Sequence, residues 1–369
     1  MSDFSPFDSA CMARALQLAR QGWYSAHPNP RVGCVIARDG DVVGEGFHAR
    51  AGEPHAEINA LRAARDKARG ATAYVTLEPC NHQGRTGPCS EALIAAGIAE
   101  VVYAVADPNR QASGGIAALR SAGIRVRGPL LENEAREVNA GFLKRCESGL
   151  PFVTLKLAMS LDGRTAMASG ESYWITGAPA RRDVRKLRAQ SGAIVTGIGT
   201  VLADNPAMTV TPEMLALENA AEVASRQPLR VIVDSGLRTP REAKILHQPG
   251  QVLIATATAG NPVYGDNVEV KCFPSSADGV DLRAVLAHLG RCECNDVLVE
   301  AGAGLGGAFL RAGLVDRLVV YMAARLMGSD ARPLLDLPLV RMAEAVALKI
   351  EDIRALGDDW RITAVPRLQ

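Results

Sequence analysis

Several things are scarce in this 369-residue chain, and each scarcity removes a class of function. No run of roughly 18 or more apolar residues occurs, so no membrane-spanning helix is expected. The opening MSDFSPFDSACMARALQLAR lacks a basic segment leading into an apolar one, so no secretory leader is expected and the protein is placed in the cytoplasm. Charge of one sign is also missing. The 41 Lys+Arg face 40 Asp+Glu, and the balance holds on both sides of residue 149. A protein that grips a phosphate backbone needs a basic excess, so a small-molecule substrate is expected and no nucleic acid. The eight cysteines are thinly spread, which favours thiols, metal ligands or small buried hydrophobes over a disulfide framework.

What remains is a globular composition. Hydrophobics make up 48%, enough for large cores although aromatics are only 4%, and the length favours two domains. Residues 8–21 have helical periodicity. Val32–Ala37 and Asp41–Phe47 read as strands joined at Arg38-Asp39-Gly40, since Asp-Gly is a strong hairpin signal. Helix-like 55–67, 90–96 and 113–122 then alternate with strand-like 73–77 and 100–106, the pattern of a three-layer α/β sandwich. Cys146–Pro151 reads as a linker because Gly149 and Pro151 interrupt the pattern. Beyond it, strands are expected at 152–157, 193–196, 230–233, 252–256, 296–300 and 317–322, with helices at 179–189 and 305–312. Residues 212–228 carry no strong pattern and are expected to be a surface excursion.

The sharpest chemical signal is His55-Ala56-Glu57, then Pro79-Cys80, then Cys89. One imidazole and two thiolates give zinc three protein ligands and leave a fourth tetrahedral position for water. Zinc lowers the pKa of such a water toward roughly 7. Glu57, two residues after His55, is placed to reach that water as proton shuttle without ligating the ion. The H-x-E and P-C pattern is that of zinc deaminases, although here eight residues separate the cysteines where two are usual. A structural zinc site completed by Cys34 or His82 is the competing reading, and Cys34 in its apolar strand reads better as a buried small hydrophobe.

The strings HPNPRVGCVI, HAE and TLEPCNHQGRTGPC, with that long cysteine spacing, resemble the bifunctional riboflavin biosynthesis family, which joins an aminopyrimidine deaminase to a reductase. The resemblance implies a cytidine-deaminase-like α/β/α sandwich over 1–149. It implies zinc on His55, Cys80 and Cys89, Glu57 as proton shuttle, and substrate contacts from Asn29, His48, His82 and Arg85.

In the second half, Gly302-Ala303-Gly304-Leu305-Gly306-Gly307 follows an apolar strand and opens a helix, a literal G-x-G-x-x-G. The next strand runs into Ala323-Ala324-Arg325 with no carboxylate, so the motif reads as a phosphate cradle outside a Rossmann unit, and the missing acid suits NADP. KLAMSLDGRTAMASGESYWIT, ARRDVRKLRAQSGAIVTGIGTVLADNPAMTV and VEAGAGLGGAFL resemble the reductase part of the same family. That resemblance implies a dihydrofolate-reductase-like α/β domain over 150–369, dependent on NADP(H). It implies cofactor contacts at Ala158, Trp174, Thr200, Asp204 and along Gly302, Ala303, Gly304, Leu305, Gly306, Gly307 and Ala308. It implies substrate contacts at Ser172, Arg188, Met208 and Glu300. Lys156, Asp204 and Glu300 are the candidate proton handlers. The family carries an arginine where this chain reads Thr209-Val210-Thr211, so a phosphate contact is lost there or supplied by Arg182 or Arg185. By analogy a homodimer or higher homo-oligomer is expected. A nucleic-acid deaminase and a catalytically silent metabolite sensor are the alternatives, opposed by the charge balance and by the intact metal triad with Glu57.

Overall fold

A computed structural model describes residues 4–82, 87–260, 262–277 and 279–367. The chain divides into two compact units, Met1–Gly149 and Leu150–Gln369.

The first unit runs α1 (Pro6–Gln21), β1 (Gly33–Arg38), β2 (Asp41–Phe47), α2 (Ala56–Ala64), β3 (Thr72–Val75), α3 (Cys89–Ala95), β4 (Glu100–Tyr103), α4 (Gly115–Ser121), β5 (Arg125–Arg127), α5 (Glu132–Val138) and α6 (Ala140–Ser148). Its sheet has the order β2-β1-β3-β4-β5, antiparallel around β1 and parallel from β3 to β5. Strand side chains alternate between faces. Val35 and Ala37 therefore pack under α1, α5 and α6, whereas Cys34 and Ile36 pack under α2, α3 and α4. This is the expected three-layer sandwich. Two glycines let α2 ride close on β2: a Cβ at Gly44 or Gly46 would meet the backbone of Ala60 or Ala56.

The expected linker is corrected in part. Residues 146–148 are the last turn of α6, and the break comes at Gly149 in the left-handed region (φ 76°), a helix end that glycine tolerates without strain. Helix α2 also stops at Ala64, and a 3₁₀ turn carries the chain through Arg65–Ala68.

The second unit runs β6 (Phe152–Ser160), β7 (Arg164–Ala166), α7 (Ala178–Gln190), β8 (Ala193–Gly197), α8 (Ile198–Asp204), α9 (Ala220–Ser225), β9 (Leu229–Val233), β10 (Val252–Thr256), β11 (Val268–Cys272), β12 (Ser275–Ser276), β13 (Gly279–Val280), α10 (Leu282–Arg291), β14 (Asp296–Glu300), α11 (Ala303–Arg311), β15 (Arg317–Ala323), β16 (Arg332–Pro333), β17 (Leu348–Leu356) and β18 (Asp359–Pro366). Nine strands form one sheet in the order β11-β10-β9-β8-β14-β6-β15-β18-β17. It is parallel from β11 to β15 and antiparallel across β18 and β17. This is a dihydrofolate-reductase-like α/β sheet. One face carries α10 and α11 over Val153, Leu155, Val297 and Val299, and the other carries α7 over Leu298, Val319 and Tyr321.

Residues 212–228 are not simply a surface excursion. They form a 3₁₀ turn and α9, with Leu215 and Val223 buried, because those two apolar side chains find the core despite a weak sequence period.

Candidate active sites

Two helix starts and one loop build the first site. His55 caps the N-terminus of α2 with extended backbone (φ −69°, ψ 165°), and Glu57 lies in the first turn. Cys89 opens α3 behind Pro88. Cys80 ends the loop after β3, and the Cys89 N–H donates to its Sγ at 3.5 Å. His55 Nδ1 lies 3.3 Å from Cys89 Sγ and 3.5 Å from Cys80 Sγ, and all three ligand atoms lie within 4.8 Å of one another. A tetrahedral ion with bonds of about 2.0–2.3 Å spaces its ligands roughly 3.5 Å apart, so the three groups fit zinc. Among the described residues no fourth side chain joins them. Cys34 is fully buried on β1, where burial pushes its thiol up, and His82 is exposed.

The titratable groups of the site perturb one another strongly. Hydrogen bonding from the Cys89 thiol, aided by His55, pulls Cys80 down to about 4 and drives Cys89 upward. The same contact with Cys80 raises His55. Burial pushes the Glu57 carboxyl up to about 7, and the Cys80 charge adds to it. A dication on the two sulfurs would hold both as thiolates.

His48 and Asn29 flank the ligands. His48 stands edge-on to His55, with ring centroids 5.2 Å apart. Its Nδ1–H donates to Pro54 O at 3.2 Å, so its Nε2 accepts from Asn29 Nδ2 at 3.0 Å. His48 thus sets the direction of the Asn29 amide. Arg85 lies outside the described residues.

In the second site, β14 and β6 run parallel and place Glu300 beside Lys156. Arg188 on α7 closes on Glu300 with Nε–Oε1 2.6 Å and Nη2–Oε2 2.8 Å, and gives Nη1 to Thr209 O at 3.3 Å. Arg188 holds the Glu300 carboxyl low against the effect of its burial, and Lys156 adds to that. Burial pushes the Lys156 ammonium down, opposed by Glu300. Trp174 is exposed, with the Arg181 guanidinium 4.5 Å above its ring. Ser172 stands nearby in the same segment, partly exposed, and Ala158 lies on β6 against the α7 side of the core. Thr200 and Asp204 lie on α8, with Thr200 Oγ1 facing Gly302. Met208 points its side chain into the core beside Ile198 and Val201, so only its backbone remains for a ligand.

The glycine run splits in two. Gly302 caps α11, and Gly304 has nothing within 4 Å of a Cβ position. A Cβ at Gly307, by contrast, would run into Asp336 O, and one at Gly306 would press on Leu335 at 3.0 Å. The first glycines face open space suited to a phosphate, and the last two admit the 335–336 segment.

The family model for the RibD C-terminal domain matches residues 151–362, and the cytidine and deoxycytidylate deaminase zinc-binding region matches residues 5–105. The riboflavin biosynthesis protein RibD of Escherichia coli is 51% identical over 357 residues, 95% of this chain and 97% of that protein. Its Haemophilus influenzae counterpart is 46% identical over the whole of both chains. The chain belongs to the RibD family. Among solved structures, Acinetobacter baumannii RibD superposes with TM-score 0.90 at 44% identity, over 98% of this chain and 99% of that one. A Thermotoga maritima diaminohydroxyphosphoribosylaminopyrimidine deaminase/5-amino-6-(5-phosphoribosylamino)uracil reductase gives 0.86 at 32%, with the same coverage. As a RibD, the chain is a bifunctional deaminase and reductase of riboflavin biosynthesis that uses zinc and NADPH.

Sequence reading of this RibD missed two groups. Glu78, buried just before Pro79-Cys80, accepts from the N–H groups of Asp107 (3.1 Å), Gly114 (3.0 Å) and Ile116 (3.1 Å), tying the ligand loop to β4 and α4. Asp107 lies close to the charges of Cys80 and His82, and burial pushes it up to about 6. A polar Asp-Pro-Asn run after a strand was the available signal.

Proposed function

We propose that the first unit hydrolyses an amino group from a diaminohydroxyphosphoribosylaminopyrimidine and that the second reduces 5-amino-6-(5-phosphoribosylamino)uracil at its ribosyl group. The carrying observation is the convergence of His55, Cys80 and Cys89 with the buried Glu57 carboxyl beside them. His55, Cys80 and Cys89 would hold zinc, which would lower the pKa of a water toward neutrality. Glu57 takes the proton of the attacking water and hands it to the departing amine, so that one C–O bond forms and one C–N bond breaks. Asn29, oriented by His48, reads the pyrimidine edge, and His82 and Arg85 contact the rest of the substrate.

In the second unit NADPH supplies a hydride. The Gly302–Ala308 segment, Ala158, Trp174, Thr200 and Asp204 hold the cofactor, and Ser172, Arg188, Met208 and Glu300 line the substrate. The bidentate Arg188 contact holds the Glu300 carboxyl low against its burial, which disfavours it as a proton donor. Lys156, half-buried beside Glu300 with its ammonium pushed down, protonates the sugar oxygen as the ring opens. The test is mass-resolved turnover of both substrates. Glu57→Ala protein that keeps its zinc must lose deamination and keep reduction, and wild-type deamination in that variant refutes the reading.

The protein acts as a homo-oligomer in the cytoplasm. All eight cysteines are free, as suits a reducing compartment, and among the described residues no helix is long and apolar enough to cross a membrane. The edge strand β17 exposes Leu348, Ile350 and Ile353, an apolar row that a second copy would cover. Sedimentation of wild type against Ile350→Lys checks it, with wild type expected as the larger species.

A further inference from the structure

Helix α7 turns three arginines to one side, Arg181, Arg185 and Arg188, at the i, i+4, i+7 spacing of a single helix face. Two of them are engaged. Arg181 covers the Trp174 ring and donates to Thr176 O, and Arg188 is locked on Glu300. Arg185, between them and partly buried, has no carboxylate partner among the described residues. Burial and the Arg188 charge both disfavour its cation, yet a guanidinium does not give up its proton. Such a group gains most when an anion arrives.

The segment after α8 runs alongside this face. Thr209 O meets Arg188, and Met214 Sδ lies against Arg185 Nη1. Thr211 stands between those two contacts, and Met214 N–H donates to its carbonyl at 3.2 Å. Its hydroxyl is buried and without a partner. Arg182, one position off the row, is exposed.

We propose that Arg185 binds the phosphate of the reductase substrate, supplying from α7 the cation that the adjoining Thr209–Met214 segment, with Thr211 at its middle, does not carry. The proposal rests on the reductase reading given above. A phosphate monoester dianion matches the planar fork of a guanidinium, and the pairing needs no change in the Arg188–Glu300 contact. The cofactor's 2′-phosphate offers the same chemistry, so the test separates the two sources.

The experiment is steady-state kinetics of full-length enzyme with 5-amino-6-(5-phosphoribosylamino)uracil, with its dephosphorylated riboside, and with NADPH against NADH. Arg185→Ala is expected to raise KM for the phosphorylated substrate about 10- to 100-fold. It should leave KM for NADPH unchanged and turnover of the riboside unaffected. Adding Thr211→Arg to that variant is expected to restore KM, which also shows that the variant folds. Arg185→Lys should recover it only in part. An unchanged substrate KM, a rise confined to NADPH, or an equal loss with the riboside overturns the assignment. A wild-type enzyme that does not oxidise NADPH with this substrate overturns the reductase reading and the assignment with it.

Discussion

The deaminase site draws its reactive groups from the stretch between His55 and Cys89, whereas the reductase site collects Lys156, Arg188 and Glu300 from across its unit. The two also differ in charge. The first brings an imidazole and two thiols within 4.8 Å of one another beside a buried carboxyl, a geometry that fits an added metal ion. The second is internally paired, with Glu300 in a bidentate contact with Arg188 and Lys156 at its side, two cations to one carboxylate. The first site depends on an added ion, whereas the second depends on its own pairings and keeps a positive excess that suits an anionic ligand.

The largest break in that comparison is Glu57→Ala. Removing the proton shuttle should lower deamination by about 10²- to 10⁴-fold while zinc content and reduction stay at wild-type values. Lys156→Met is the counterpart in the second unit. Loss of a general acid there should cost reduction about 10²-fold or more and leave ammonia release untouched.

Next comes Glu300→Gln. It strands the Arg188 cation in a buried place and should destabilise the second unit by about 3 kcal/mol, seen as a lower Tm for one calorimetric transition. The pH sign follows from the depressed carboxyl. A group whose pKa is lower folded than unfolded stabilises above its unfolded value, and that stabilisation is lost as pH falls through the folded one. Wild type should therefore lose stability below the usual carboxylate range, and the variant should lack that part of the loss.

The glycine run permits a finer test. Gly307→Ala drives a methyl into Asp336 O, which already accepts from Arg311 at 2.6 Å, and should cost about 1–3 kcal/mol in denaturant unfolding. Gly304→Ala meets nothing and should leave stability unchanged or raised, while KM for NADPH rises if backbone approach at that point is what the cofactor uses.

How much was legible follows the same contrast. His55, Glu57, Cys80 and Cys89 stand in a compact local motif whose chemistry restricts its readings, so the convergence could be read without a fold. Lys156 and Glu300 meet only because β6 and β14 pair in parallel, and no spacing announces that register. Arg188 was expected as a substrate contact, and a guanidinium on a helix does not reveal the carboxylate across the sheet that it also meets. Helix α10 was legible but unread: Asp281 caps it through Arg283 and Ala284, and Leu282, Val285, Leu286 and Leu289 follow at helical spacing. Strand β17 was not legible, since nearly every residue in it is exposed and no alternation marks a buried face.

The smallest expected effect decides whether the first site is a catalytic centre or a closed structural one. Cys34 is the thiol most able to complete a four-ligand set, being fully buried on β1 close to Glu57. Yet it packs among Ile36, Ala60 and Val75, and its Sγ does not join the ligand atoms of His55, Cys80 and Cys89. Cys34→Ala should therefore retain the zinc stoichiometry of wild type and deaminate within about threefold of it, with a stability loss of about 1 kcal/mol for the vacated volume. Metal loss in that variant would make Cys34 a ligand and close the position on which the attacking water depends.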